Sequence, residues 1–202
     1  MINMIIGVTG YFGSGKTTVS KLFKEKGARV IDADKVYHSL IKPRKALYLR
    51  IKKIFGREVL NRNGAIDRKK LGKIVFDDKT MLLKLNSITH PEIIKKIRKM
   101  SKSAGITIVE APLLIESGLY KEMDKVVIVA ASMEKQVKRL KKSRGIEKEG
   151  MLKRISMQMG HKKKLAFADF VIDNNGAVKN TKDQVEKIWE RIGEDYVDKS
   201  KF

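Results

Sequence analysis

The run Gly10-Tyr11-Phe12-Gly13-Ser14-Gly15-Lys16-Thr17 constrains this 202-residue chain more than any other stretch. It satisfies the pattern G-x-x-x-x-G-K-[ST], and it stands in the context that gives the pattern meaning. Before it, Met4 to Thr9 is apolar and rich in β-branched residues, the mark of a short buried strand. After it, Val19, Leu22 and Phe23 fall at i, i+3 and i+4, one face of a helix that Gly27 ends. Glycines let the backbone curl so that its N–H groups face a phosphate. The helix N-terminus behind them adds about half a positive charge. In such a turn Phe12, Gly13, Ser14, Gly15, Lys16, Thr17 and Thr18 are the nucleotide-binding candidates. Lys16 is placed to reach the β- and γ-phosphates, and the Thr17 hydroxyl is the candidate Mg²⁺ ligand. The motif specifies a nucleoside triphosphate such as ATP; it leaves the fate of the γ-phosphate open.

The remaining chain alternates strand and helix signals. Strands are expected near residues 4–9, 28–32, 106–111, 125–131 and 169–173. Residues 35–104 read as helical, broken at Pro43 and at the Asn61–Gly64 turn, with Asp67 as an N-cap. A long helix from about Asp77 to Lys102 is expected to kink or divide at Pro91. Met133–Ser143 reads as a helix, and a last helix carries Val185, Ile188, Trp189 and Ile192. The tail Asp195–Phe202 is polar and expected to fray. Alternation of this kind predicts an α/β fold, a P-loop three-layer arrangement around a parallel five-stranded sheet. One compact domain is expected: a core of residues 1–34, 105–136 and 166–195, with excursions at 35–104 and 137–165.

Those excursions also carry the charge. The net +22 is concentrated in two blocks. Residues 35–104 hold 20 basic and 5 acidic side chains, and residues 137–165 hold 11 and 2. Taken singly, each lysine is best read as a solvated surface group; segregation into two blocks points instead to anionic ligands. Cysteine is absent, which excludes disulfides and thiolate chemistry. The longest early apolar run, Met4–Val8, falls far short of the roughly 20 residues a membrane helix needs. The cytoplasm is the expected location, and no membrane partner is expected.

A phosphoryl-transfer enzyme needs a carboxylate for the acceptor hydroxyl and cations around the transferring group. Asp32 and Asp34 end the second expected strand, where ligands of open α/β sheets bind. Strand alternation would turn both to one face. An N-cap role explains Asp34 equally well. Arg139 and Arg144 lie in the second basic block, where a closing segment would bring charge to the developing anion. For either arginine alone, a surface position is the simpler reading.

Taken together, several stretches resemble the dephospho-CoA kinase family, a family of P-loop small-molecule kinases with a nucleoside monophosphate kinase-like fold. They are Val8 to Val19, Val30-Ile31-Asp32-Ala33-Asp34, and Gly64-Ala65-Ile66-Asp67-Arg68 with Leu71 and Val75-Phe76. His90-Pro91, Glu110-Ala111-Pro112-Leu113-Leu114-Ile115-Glu116, and Gln158 through Ala168-Asp169 to Gly176 complete the set. They occur in the family's order over residues 4 to 192. The resemblance implies transfer of the ATP γ-phosphoryl group to the ribose 3′-hydroxyl of dephospho-CoA, with Mg²⁺. It implies Asp34 as general base, and Lys16 and Arg139 as catalytic cations. It places Arg144, Asn174, Asn175 and Gly176 at ATP, the three-residue loop on the adenine side. Asp32, Asp34, His38, Arg68, His90, Pro112, Leu113 and Glu116 fall on the acceptor side, residues 35–104 in the CoA-binding region and 137–165 in a lid. Tyr11-Phe12, His38, Gly160 and Lys162-Lys163 depart from the residues common in the family. His90 has no role derivable from the sequence.

Two other readings follow from the same residues. Another P-loop nucleoside or nucleotide kinase would use the same fold with a different acceptor. A nucleic-acid-binding NTPase would suit the charge, but 6 % aromatics and the lack of a base-stacking motif argue against it. A nucleotide-regulated binding module would need neither Asp34 nor a lid. A monomer or weak homo-oligomer is expected.

Overall fold

The computed structural model describes residues 3–101, 105–144, 155 and 158–199. Five strands form one parallel sheet: β1 (Asn3–Gly10), β2 (Arg29–Asp32), β3 (Gly105–Glu110), β4 (Lys125–Ala130) and β5 (Phe170–Asp173). Their order is β2-β3-β1-β4-β5, so β1 lies at the centre. Its register pairs Val8 with Glu110 on one side and Gly10 with Val129 on the other. The P-loop leaves the sheet at its middle, beside β3, whose carboxyl end carries Glu110. Each strand lies within one residue of its sequence-based bounds.

The chain divides into two compact units: residues 1–31 with 101–202, and residues 32–100. In the sheet unit, α1 (Lys16–Glu25) and the last helix, α8 (Val178–Lys199), pack together. The core there joins Ile6, Val8 and Ile108 of the sheet to Val19 and Phe23 of α1 and Val185 and Ile192 of α8, all at most 1 % exposed. Phe23 and Trp189 meet with ring centroids 6.3 Å apart. The expected fraying of Asp195–Phe202 is not found as far as Lys199; residues 200–202 lie outside the described set. Specific contacts tie this turn down. Tyr196 packs on the core, Asp195 pairs with Lys125 at 3.3 Å, and Lys199 bonds both Asp124 and the Asn3 carbonyl.

The other unit is helical: α2 (Ala33–Leu40), α3 (Ala46–Phe55), α4 (Arg68–Asp77) and α5 (Lys79–Met100). It has its own core, with Ile51 and Val59 fully buried and Leu47, Phe55, Leu71 and Val75 around them. Between α3 and α4, Asn61 Oδ1 accepts from the Asn63 and Ala65 N–H groups, each at 3.0 Å, closing the expected turn. Asp67 caps α4, accepting from Lys69 N at 2.9 Å and Lys70 N at 3.2 Å, as its position predicts. Pro91 does not divide α5, which runs 22 residues through it. Proline removes one intrahelical donor, a loss a helix packed along its length can absorb. Here Thr89 and Ile97, on either side of Pro91, are buried.

Candidate active site

The P-loop is built by its glycines and closed by its lysine. Gly15 has φ +97° and is the residue from which α1 starts. A Cβ there would stand 2.1 Å from Asn174 Nδ2, so both backbone and space require glycine. Lys16 is only 8 % exposed, and its ammonium donates to the Gly10 and Tyr11 carbonyls at 3.0 and 2.9 Å. That bond pair draws a positive charge into the concavity of the turn. Thr17, the next residue, is exposed and donates its hydroxyl to Glu110 Oε1 at 2.7 Å. Thr18 is exposed as well; its N–H closes the first turn of α1 on the Gly15 carbonyl at 3.0 Å.

Two elements brace this loop. The Ser14 carbonyl accepts from Asn174 Nδ2 at 2.8 Å and from the Arg139 guanidinium at 3.3 Å. Arg139, in α6 (Met133–Arg144), also donates to the Asn174 carbonyl at 2.8 Å. Asn174 is buried at the end of β5, and its Oδ1 accepts from Thr181 at 2.9 Å. Its side-chain amide is thus engaged in holding the P-loop. Asn175 turns the other way: its Oδ1 accepts from Ser132 N at 2.6 Å, and Gly176 follows exposed. The Arg144 side chain, and most of the 137–165 excursion beyond it, lie outside the described residues.

A third bracing group was not legible as a site. Lys164, in α7 (His161–Leu165), is completely buried and pairs with Glu116 Oε1 at 2.9 Å. The same oxygen accepts from Met159 N at 2.8 Å. The Tyr11 hydroxyl donates to the Met159 carbonyl at 2.5 Å. Burial, and then the Glu116 charge, push the Tyr11 phenol above its ordinary range. Gln158 accepts from the Phe12 N–H at 3.1 Å and donates to the Pro112 carbonyl at 3.1 Å. Glu116 and Pro112, expected on the acceptor side, are therefore occupied with the P-loop's neighbours, while Leu113 is 48 % exposed. Glu110 could have been found as the acid closing an apolar strand. Lys164 could not, since Lys162 and Lys163 beside it are exposed.

In the helical unit Asp34, His38 and Arg68 are exposed, while Asp32 and His90 are partly buried. Asp32 caps α2, accepting from Lys35 N at 3.0 Å. Asp34 is exposed in the first helical turn. The expected strand pairing of Asp32 with Asp34 fails because β2 ends at Asp32 and its side chain starts the helix. The alternative of Asp34 as N-cap fails for the same reason. His38 is exposed in the last turn of α2, and Arg68 is exposed at the start of α4. Burial pushes the Tyr37 phenol up, and the nearby Arg68 charge offsets part of that. His90 is half-buried in α5, and burial pushes its imidazole below the ordinary 6.5.

The donor set at Thr17 suits magnesium. Mg²⁺ is usually held by one or two protein oxygens, with nucleotide phosphates and water completing its shell. A hydroxyl and a carboxylate 2.7 Å apart, next to the phosphate loop, offer that.

Comparison with known proteins covers nearly the whole chain. A family model described as dephospho-CoA kinase matches residues 4–180. A dephospho-CoA kinase of Aquifex aeolicus is 42 % identical over 193 residues, covering 94 % of this chain and 98 % of that one. Among solved structures, TT1252 from Thermus thermophilus is similar with a TM-score of 0.83 and 30 % identity, over 95 % of this chain and 98 % of that one. A dephospho-CoA kinase from Campylobacter jejuni is similar with a TM-score of 0.65 and 29 % identity, over 93 % and 96 % of the two chains.

Proposed function

The chain belongs to the dephospho-CoA kinase family and is an ATP-dependent phosphotransferase; we propose the following roles for its own residues in moving the γ-phosphoryl group to the ribose 3′-hydroxyl of dephospho-CoA. The products are CoA and ADP, which makes this the last step of coenzyme A synthesis. The observation that carries the reading is the buried Lys16 ammonium beside the Thr17–Glu110 pair. It supplies a cation for the β/γ-phosphates and, from the start of α1 and the end of β3, two oxygens for a metal.

In this reading the P-loop N–H groups and Lys16 bind the triphosphate. Arg139 and Asn174 keep the loop's shape through the Ser14 carbonyl. Thr17 and Glu110 would hold Mg²⁺, which would supply positive charge beside the phosphates. Asp34 accepts the proton of the 3′-hydroxyl as its oxygen bonds to phosphorus, and the β–γ bridging oxygen leaves with ADP. Arg68 and His38 are proposed to meet the anionic part of the acceptor, drawn by the basic block of residues 35–104. His90 is assigned to the same unit, with no chemical step. Asn175, Gly176 and Arg144 remain proposed contacts of the nucleotide. The reaction is proposed to run in the cytoplasm on a monomer or weak homo-oligomer. Among the described residues no helix is long and apolar enough to cross a membrane.

The test is ADP release from Mg-ATP with dephospho-CoA, adenosine, nucleoside monophosphates and single-stranded DNA offered separately. Turnover is expected with dephospho-CoA, with phosphorus NMR locating the new phosphate on the 3′-oxygen. Equal turnover with DNA, or phosphorylation of a nucleoside monophosphate in preference, would replace the proposed acceptor.

A further inference from the structure

Lys164 is a positive charge with no exposure to solvent. A buried ammonium persists only where it is paired and hydrogen-bonded. Here its Nζ lies 2.9 Å from Glu116 Oε1, donates to the Pro112 carbonyl at 3.3 Å, and stands 5.4 Å above the Tyr11 ring. In a chain with 45 basic residues, a lysine is the ordinary choice for a wet surface. Burying one is poor as a source of stability, because an apolar pair of the same volume often does as well or better. The place to look for its effect is therefore what it holds.

It holds the Pro112 carbonyl. That oxygen accepts from Thr9 Oγ1 at 3.3 Å, Gln158 Nε2 at 3.1 Å and Lys164 Nζ at 3.3 Å. A carbonyl has two lone pairs, so three donors exceed what satisfying it requires. Two residues upstream, Glu110 ends β3 and receives the Thr17 hydroxyl. The other end of the Gln158 amide takes the Phe12 N–H of the P-loop. The cluster thus grips both sides of the Thr17–Glu110 pair: the turn that follows Glu110 and the loop that precedes Thr17.

We propose that Lys164 and Gln158 are positioning residues for the transfer, which by converging on the Pro112 carbonyl keep the Glu110 carboxylate on Thr17, the pair that takes the metal. The proposal rests on the reading of that pair given above. Neither residue needs to touch substrate. Groups that orient metal ligands from behind typically matter about 10–100-fold in metal affinity or activity when removed.

Two variants test it. Lys164→Met combined with Glu116→Gln removes both charges, so no unpaired ion is left buried. Gln158→Leu removes the neutral donor and introduces no charge. For each, calorimetry measures binding of a non-hydrolysable ATP analogue with and without Mg²⁺, alongside a thermal melt. The double variant is expected to bind the metal-free analogue nearly as wild type does. In both variants the gain in affinity brought by Mg²⁺ should fall about tenfold, the low end of that range, and the Mg²⁺ concentration that half-saturates turnover should rise to match. A folded variant with a shifted melting temperature and an unchanged Mg²⁺ gain would overturn the proposal, as would a wild-type chain with no Mg²⁺ gain. If the double variant does not fold, Gln158→Leu decides by the same readout. Binding needs no turnover, so a wild-type chain that shows the Mg²⁺ gain yet does not phosphorylate dephospho-CoA faults the assigned acceptor and leaves this test standing.

Discussion

Lys16 and Asp34 have opposite charges and opposite surroundings. Lys16 is buried in the sheet unit, and its ammonium is held by two backbone carbonyls. Asp34 is exposed on the first turn of a helix in the other unit. The contrast extends to their neighbours. Around the P-loop, Ser14, Asn174 and Lys164 are all buried, and Arg139 is partly so. In the helical unit, His38 and Arg68 are exposed. Donors fixed before the substrate arrives need no reorganisation during reaction, which is where electrostatic catalysis has its largest effect. Exposed charges are weakened by salt and largely screened beyond a Debye length of about 8–10 Å at ordinary ionic strength. On the proposed roles, the nucleotide-binding groups are prebuilt, while the groups proposed for the acceptor are exposed.

The sharpest way to break this contrast is to empty the prebuilt side. Lys16→Ala should lower turnover by at least about 10²-fold, the scale of removing one fixed transition-state donor, and should weaken ATP binding. Steady-state kinetics and calorimetry check this; a near-normal kcat would mean that the lysine is packing.

Two glycines compare the units directly. Both have positive φ, Gly15 at +97° and Gly64 at +72°. A Cβ at Gly15 meets Asn174 at 2.1 Å, whereas one at Gly64 meets nothing within 4 Å. Gly64→Ala should cost only the left-handed backbone, about 1–2 kcal/mol, with turnover per folded molecule unchanged. Gly15→Ala carries a comparable backbone cost and also displaces the brace on Ser14, so ATP binding should weaken with it. Melts and ATP titrations of the pair give the answer. Equal effects on ATP binding would erase the contrast.

The smallest expected effect concerns pH. Burial holds the His90 imidazole below its unfolded value of 6.5, so the unfolded chain binds the proton more readily. Stability from this group is complete above pH 6.5 and is lost as pH falls from there through the lowered folded value. The melting temperature should drop over that window, and His90→Asn should flatten the drop. An unchanged slope in the variant would assign the drop to other groups.

What could be read from the sequence follows the same division. The strands and the P-loop are local: apolar runs, glycines and a helix face declare themselves within ten residues. Asp67 was legible because a cap needs only its own helix. Asp32 and Asp34 were not resolved, since which of them caps depends on where β2 stops. Lys164 was hidden, and Glu110, though visible as the acid closing an apolar strand, carried no sign of its partner. Their roles depend on contacts with Glu116 and Thr17, the latter 93 positions from Glu110, and a lysine in the run Lys162–Lys164 shows no sign of which member turns inward. The tail looked polar by composition, but Tyr196 and Lys199, one helical turn apart, find partners only once the sheet core is in place.

The proposed roles divide the labour: Lys16 and the P-loop hold the phosphates, and the Asp34 carboxylate takes the acceptor proton. Asp34→Asn tests that division most directly, because Asp32 is the residue that caps α2 and the helix should survive the change. Both substrates' binding, the melting temperature and kcat are measured on the one variant. Near wild-type binding and stability are expected, with kcat lowered about 10²- to 10⁴-fold, the range for a general base, the low end being compatible with the loose transition state of phosphoryl transfer. A stable variant with kcat within about threefold of wild type, well outside that range, would contradict the division.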